Sequence, residues 1–334
     1  MASKNTAVIQ NEEIGYLPEE WQIQELRSAL ELLKDGTHAP PKRQEKGIRL
    51  ISSGEVRYRN IDFTTCTYIS KEDYSALQKY YQIKENDVLL TIVGALLGRV
   101  AVVKKTDLPF SAQRAVAIFR PKAHLDPFFL FYWLVSPTFQ RLIWSRVNAT
   151  AQPGIFLGEI GRLPVPIPPL SEQQAIADLL SSIDLKIKTN EMINRKLEDI
   201  GQTLFRHWFV EFEFPNEEGK PYKSSGGEMV NSLFGKIPAG WCSSKVGEVL
   251  QTVLGGTPER AIKEYWENGD VPWINSGKIN EFRIIEPAEF ITRKGLENSA
   301  AKIMPKRTTV LAVTGATLGQ VSLLEIELAG PKML

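Results

Sequence analysis

The chain repeats itself. Gly15-Tyr16-Leu17-Pro18-Glu19-Glu20-Trp21 returns as Gly235-Lys236-Ile237-Pro238-Ala239-Gly240-Trp241, an offset of 220 residues. At the same offset Gly36-Thr37 becomes Gly256-Thr257. Ile51-Ser52-Ser53-Gly54 becomes Ile274-Asn275-Ser276-Gly277 at 223, and LLTIVGALLGRV at 89–100 becomes VLAVTGATLGQV at 310–321, at 221. Four islands in register, with only small length changes between them, are not a chance event. The period is far too long for a solenoid, whose units run to about 20–50 residues. It means two copies of one domain, and 334 residues agree with two domains at roughly 150 each.

The first copy reads as α+β. A loop ends at Trp21 and a short helix is expected over 23–34. Turn signals at Ser53-Gly54 and Glu85-Asn86-Asp87 divide the rest of the copy, and short strands are expected over 88–93, 99–103 and 115–119. Gly94 and Gly98 bracket the first strand-to-strand link, as Gly315 and Gly319 do in the second copy. Such glycines serve a tight turn more often than a phosphate cradle. The aromatic run 126–139 reads as one buried helix, its rings used for packing and not as exposed platforms for single-stranded nucleic acid.

Between the copies the character changes. Leu163-Pro164-Val165-Pro166-Ile167-Pro168-Pro169-Leu170 is a stiff, extended lead-in. Ser171 and Gln174 fit a capping box, and a long helix should run from there to about Phe209 with Gly201 as its weak point. Its apolar seam follows a heptad: Ile176, Ile183, Asn190, Leu197 and Leu204 in one row, Leu179, Lys186, Ile193, Ile200 and His207 in the next. Leu180, Ile187 and Trp208 widen the stripe. Asn190 would set register at some cost in stability. About 39 residues at 1.5 Å each reach ~58 Å. Residues 211–235 are polar and glycine-containing and read as a flexible linker.

Composition sets the exclusions. The longest apolar run, near Phe128–Val135, falls well short of the ~20 residues of a membrane span. The start, Met1-Ala2-Ser3-Lys4-Asn5-Thr6, has no apolar leader, so a cytoplasmic protein is expected. Cys66 and Cys242 stand alone as small, at least half-buried thiols, without C-x-x-C. His38, His124 and His207 show no ligand spacing, so no metal site is expected, and His207 reads as a ring packed on the helix seam. Residues 1–165 carry 21 Lys+Arg against 17 Asp+Glu, 166–215 carry 5 against 8, and 216–334 carry 14 against 14. Nucleic acid would have to be gripped by local basic loops or with a partner's help.

The layout resembles the specificity subunit of type I restriction-modification systems. The carriers are the passage 164–215, PVPIPPLSEQQAIADLLSSIDLKIKTNEMINRKLEDIGQTLFRHWFVEFEFP, the G-x-I/L-P-x-x-W openings, and Gly255-Gly256-Thr257-Pro258 with Tyr265-Trp266 and Pro272-Trp273-Ile274. The resemblance implies two similar α+β target recognition domains separated by a long coiled-coil-forming helix. The first domain would occupy 1–165, the helix 166–212, a linker 213–234, and the second domain 235–334. It implies double-stranded DNA and methyltransferase (modification) subunits as partners, and a motor-nuclease subunit indirectly. S-adenosylmethionine, ATP and Mg would belong to those partners only, and the chain itself would be no enzyme. There is no G-x-x-x-x-G-K-[ST] loop and no Asn/Asp-Pro-Pro-Tyr/Phe motif. The family normally completes the second domain and adds a second, antiparallel helix. By the repeat offset Leu334 falls near Gln113, and 321–334 loses similarity to Phe110-Ser111-Ala112-Gln113-Arg114, so a C-terminally truncated chain is expected.

Two loops of the first copy are the DNA candidates: Thr37, His38, Lys42, Arg43 and Lys46, then Ser52, Ser53, Arg57 and Arg59. Gln113 and Arg114 join them. Arg pairs with guanine and Gln with adenine in the major groove, and loop cations also grip phosphates. Any single one of these is more often a solvated surface charge, but as a group they point to contact. The matched loops of the second copy hold Thr257, Arg260, Asn275, Ser276, Lys278 and Arg283, different residues as two half-sites would require. Ile176, Leu179, Ile183, Ile187, Asn190, Ile193, Leu197, Ile200, Leu204 and Trp208 are the partner or helix-packing set. Two other readings stay open: a half-functional subunit that pairs with itself through this helix, and a coiled-coil scaffold that reads no DNA.

Overall fold

Apolar residues crowd both faces of the central strands, and that decides the architecture of the first copy. The computed structural model describes residues 8–148 and 152–330, so the expectations drawn from Met1–Thr6 and from 331–334 lie outside the described residues. The chain divides into two compact units, one up to Ile200 and one from Gly201.

The first unit opens with β1 (Val8–Asn11), β2 (Gly15–Pro18), β3 (Gln22–Glu25), α1 (Leu26–Ala29), β4 (Leu30–Asp35), β5 (Ile48–Ile51), β6 (Thr67–Ile69) and α2 (Lys71–Gln78). It continues with β7 (Val88–Thr91), β8 (Val100–Val102), β9 (Phe110–Ala112), β10 (Val116–Pro121), α3 (Pro127–Val135), α4 (Pro137–Trp144), α5 (Leu157–Arg162), β11 (Pro164–Ile167) and α6 (Leu170–Phe205). The main sheet is β4-β10-β7-β8, all antiparallel. Val88, Leu90, Val100, Val102, Ala117 and Phe119 pack into one core with α1 and α3–α5. Leu89, Ala101, Val103, Val116 and Ile118 pack into a second core on the other face, shared with the sheet β6-β5-β9. Alternate side chains of a strand point to opposite faces, so a sheet covered on both sides reads as unbroken apolar runs.

The structure departs from three local expectations. Residues 23–34 are not a helix: only Leu26–Ala29 is helical, and β3 and β4 flank it. Leu26, Leu30 and Leu33 have helical spacing, but Leu33 is drawn into register opposite Phe119 of β10, and tertiary pairing overrides the local pattern. The aromatic run is two helices, α3 and α4. Proline disfavours helical geometry in the residue before it, so Ser136 is extended and caps α4 by accepting from Phe139 N at 3.2 Å. Helix α6 starts at Leu170, with the Pro169 carbonyl taking the amides of Glu172 and Gln173 at 2.9 and 3.0 Å. Ser171 is exposed inside the helix and is not its cap. The helix runs 36 residues, ~54 Å, and a π-helical turn over Arg206–Val210 ends it.

The second unit holds β12 (Met229–Ser232), β13 (Gly235–Pro238), α7 (Val246–Val249), β14 (Val271–Trp273), β15 (Arg283–Ile284), β16 (Glu289–Ile291), α8 (Arg293–Glu297), β17 (Lys302–Met304), β18 (Thr309–Leu311), β19 (Val321–Leu324) and β20 (Leu328–Gly330). Several of its elements repeat those of the first. The hairpin β12-β13 matches β1-β2, so each copy begins upstream of its G-x-I/L-P motif. Pairing of Val88 with Val102 becomes Thr309 with Leu323. Gly94 and Gly98 have φ of 91° and 93°, Gly315 and Gly319 of 79° and 86°, a left-handed conformation that only glycine adopts freely. The closing bond from Gly98 N to Thr91 O, 2.9 Å, becomes Gly319 N to Ala312 O, 2.8 Å. These segments are turns between strands, as expected.

Strand β20 also extends the repeat beyond the point where sequence similarity fades. It runs parallel to β14 (Trp273 opposite Ala329) as β9 runs parallel to β5 (Leu50 opposite Ser111). The apolar residues Val246, Val249, Leu250 and Val253 are 62%, 64%, 61% and 41% exposed, whereas their counterparts Leu26, Ala29, Leu30 and Leu33 are 0–7% exposed. Among the described residues nothing in the second unit matches β10, α3, α5 or β11, which cover that face in the first.

The stretch 213–234, expected to be flexible, holds ordered structure. Tyr222 and Trp241 each stack on Phe214, at 4.7 and 5.6 Å between ring centroids. Tyr222 N donates to Phe214 O at 2.9 Å, and Gly227 lies against the Tyr222 ring where a Cβ would be 2.4 Å from it. Polar composition hid three aromatic rings at stacking spacing.

Candidate nucleic-acid interface

The first copy gathers part of its candidate set on one loop edge. Gly36 lets two backbones meet: a Cβ there would lie 2.2 Å from the Ala112 carbonyl oxygen. Thr37 N donates to that carbonyl at 2.9 Å, Arg114 N to Thr37 O at 3.0 Å and Gln113 N to Ile51 O at 2.8 Å. These bonds draw Thr37, Ser52, Gln113 and Arg114 together from three separate stretches. Tyr81 braces the edge from below, its hydroxyl donating to Ala112 O at 2.8 Å. Burial pushes that phenol up, so it stays a donor. His38 bonds Asp35 at 2.6 Å and shares with Arg114 a cleft of about 330 Å³, also lined by Asn148, Gly154 and Phe156. Lys42, Arg43 and Lys46 lie further along the same loop, all exposed, and Arg114 is exposed too. None of these four cations is in an ion pair among the described residues.

The other candidates are tied down. Ser52 donates its amide and hydroxyl to Glu55 Oε2, at 2.7 and 2.9 Å, and Ser53 beside it is half-buried. Arg57 lies 3.6 Å from Asp62. Arg59 is turned away from the loop edge: its guanidinium meets Asp184 of α6 at 2.9 Å. In the second copy Arg260 is held by Glu289 at 2.5 and 2.7 Å, with its guanidinium 3.6 Å over the Trp266 ring. That guanidinium keeps the Glu289 carboxyl below its usual range. Lys278 lies between Glu281 and Glu286, at 2.7 and 3.3 Å, and Arg283 pairs with Glu325. Asn275 accepts from Lys278 N at 3.1 Å as the cap of a short 3-10 turn, with Ser276 half-buried beside it and Thr257 exposed. The second copy thus offers neutralised cations and a few polar groups, while the first offers free charge.

A second constellation, absent from the candidate set, joins the first domain to its helix. Trp21 packs edge-on against Phe129 and donates its Nε1 to Glu172 at 3.3 Å. The buried Gln173 accepts from Asp126 N at 2.8 Å and donates to the carbonyls of His124 and Pro168 at 2.9 and 2.8 Å. Three turns on, Asp184 accepts from Arg59 and, at 2.7 Å, from the Tyr132 hydroxyl. Burial above all, with the carboxylate it faces, pushes Tyr132 up to about 12, so it remains a donor at any working pH. Trp21, Glu172, Gln173 and Asp184 all belong to the motifs that carry the family resemblance. The physical signal for Asp184 was a lone carboxylate on an apolar helix face.

Between Leu179 and Leu204 most of the apolar seam is exposed. Leu179, Ile183, Ile187, Ile193, Leu197, Ile200 and Leu204 are 42–64% exposed. Asn190 is exposed, Trp208 half-buried, and Ile176 packs against the first core. His207 does not pack on the seam but bonds Glu211 at 3.1 Å. Cys66 is half-buried as expected, whereas Cys242 is exposed. Among the described residues no helix is long and apolar enough to cross a membrane, and no group of three or more His, Cys, Asp or Glu could hold a metal ion.

Two copies of one α+β module, the first carried on a long helix and showing a free cationic edge, make a tandem recognition protein. The chain belongs to the type I restriction modification DNA specificity domain family, whose model matches residues 18–199 and 238–330. The MjaIX type I restriction enzyme specificity subunit of Methanocaldococcus jannaschii is 23% identical over 314 residues, covering 92% of this chain and 69% of that protein. The HindI specificity subunit of Haemophilus influenzae is 24% identical over 327 residues, covering 82% and 70%. A crystal structure of a type I restriction-modification S subunit from M. genitalium aligns over 97% of this chain and 72% of that one, at 18% identity and a TM-score of 0.48.

Proposed function

We propose that this protein is a specificity subunit that reads a split duplex DNA target, one half per copy, and performs no chemistry itself. One observation carries the reading: two copies share their turns and strand register but differ at matched edge positions, with His38, Pro40 and Ser52 of the first replaced by Pro258, Arg260 and Asn275 in the second. That is what one scaffold with two readouts requires. The free cations of the first copy would position phosphates, and Gln113 and Arg114 would reach base edges. The paired cations of the second copy imply that a partner supplies more of its phosphate grip. Modification methyltransferase subunits, carrying S-adenosylmethionine, are the partners proposed, with a motor-nuclease using ATP and Mg joined through them in the cytoplasm. Helix α6, ~54 Å long, would space the half-sites across one to one-and-a-half turns of DNA, at ~34 Å per turn.

Sequencing methylated adenines in cells with and without this gene tests the reading. A single split motif with a fixed gap should depend on the gene. If no motif depends on it, the reading is wrong.

The bare seam favours a second role for α6, pairing with a second copy of itself. Each apolar side chain covered contributes about 1.5–3 kcal/mol at full burial. The purified chain should therefore sediment as a dimer, and Ile193→Lys with Leu197→Lys should return it to monomer. A clean monomer of the unaltered chain contradicts self-pairing.

A further inference from the structure

Helix α6 meets the first domain at its start and then at one more polar point. The start is packed and bonded through Trp21–Glu172 and Gln173. Asp184 lies twelve residues beyond Glu172, ~18 Å along the axis, and after it the seam residues from Ile187 to Leu204 are exposed. Its side chain is 18% exposed and receives Arg59 Nη1 at 2.9 Å and Tyr132 Oη at 2.7 Å, with Tyr58 Oη at 3.4 Å. The donors are themselves fixed. Arg59 holds a left-handed backbone (φ 64°), sparsely populated by residues with a side chain, and its amide donates to Val100 O at 3.0 Å. Tyr132 projects from α3, whose neighbour Phe131 is fully buried and packs edge-on against both Tyr58 and Tyr132. Two attachment points define a direction where one would leave a hinge. At the offset of the surrounding motif the second copy has the exposed Phe282 in place of Arg59, so the arrangement belongs to the first copy alone.

We infer that Asp184 is a positioning residue for target recognition: by clasping Arg59 and Tyr132 it fixes the direction in which the spacer helix leaves the first reading domain, and so the gap between half-sites that the protein accepts. The inference rests on the proposed DNA-reading function. Adding one base pair to the gap rotates one half-site by about 35° relative to the other. A clasped helix penalises that rotation, and a hinged one absorbs it.

The test has two arms. In the full chain with Cys66→Ala and Cys242→Ser, spin labels at Lys71→Cys and Lys196→Cys report the angle between domain and helix as a distance distribution. The distribution should be narrow for Asp184, narrow again for Asp184→Glu, and broad for Asp184→Ala and Tyr132→Phe, with melting curves confirming that each variant is folded. An unchanged distribution in both broadening variants overturns the clasp. In the second arm, the chain assembled with its modification subunits is assayed for methylation of its target with the gap lengthened or shortened by one base pair. The native assembly should lose on the order of tenfold per base pair, and Asp184→Ala less than about threefold, with little change at the native gap. Equal penalties in both assemblies overturn the role in spacing and leave DNA reading intact. No methylation of any target by the native assembly would instead overturn the functional reading, and the distance arm would still decide the clasp.

Discussion

Changing Lys42, Arg43, Lys46 and Arg114 together to alanine should weaken duplex DNA binding by the protein and its modification partners roughly a hundredfold or more at physiological salt. All four are exposed, on a loop edge tied down by Thr37, Gln113 and Gly36, and none is in an ion pair among the described residues. Each phosphate neutralised contributes about −0.9 to the slope of log affinity against log salt. With Lys42, Arg43 and Lys46 on phosphates and Arg114 on a base edge, the variant's slope should be shallower by roughly three. Titration by fluorescence anisotropy across a salt series gives both numbers. Arg260→Ala is the control, because Glu289 already neutralises Arg260 and its loss should change little. Unaltered affinity and slope in the fourfold variant would reduce the loop to solvated surface.

Arg120→Ala should be the most damaging single change to stability. Asp87 is 1% exposed and precedes β7, Arg120 stands near the end of β10, and the two strands are neighbours in the central sheet. Two guanidinium nitrogens reach the carboxylate at 2.8 Å each, and Lys84 N donates to it at 2.8 Å. Removing the arginine strands a buried carboxylate, which costs about 3–5 kcal/mol. For a unit of this size the midpoint of thermal unfolding should fall by roughly 10 °C. Asp87→Asn in the same background removes the stranded charge and should recover much of the loss. A fall of only a degree or two would mean that water reaches Asp87 freely.

The duplication is legible in the sequence because three of its four islands are backbone devices: a hairpin turn, a close approach at Gly36, and left-handed glycines at fixed places in a strand pair. Backbone needs constrain residue type locally, so they survive when packing residues drift. Strands over 88–103 are legible for a related reason, since a sheet covered on both faces leaves no polar alternation to mislead. The long helix is legible from its want of proline. The features that escape a reading of the sequence depend on partners distant in the chain. Arg59 looks like any basic loop residue until Asp184, 125 positions away, is seen beside it. Arg260, Lys278 and Arg283 are neutralised by Glu289, Glu281, Glu286 and Glu325, which no local pattern pairs with them. The strand Leu30–Asp35 reads locally as a helix because its partner, β10, begins about eighty residues later. The correspondence of β20 with β9 lies in strand pairing alone, with no shared residues to announce it.

The central claim is that each copy reads its own half of one DNA target. The most direct measurement replaces the first copy's edge residues Gln113 and Arg114 with those of another recognition domain and sequences the methylated adenines that result. One half of the motif should change while the other half and the gap stay fixed. A change in both halves, or the loss of neither, would contradict it.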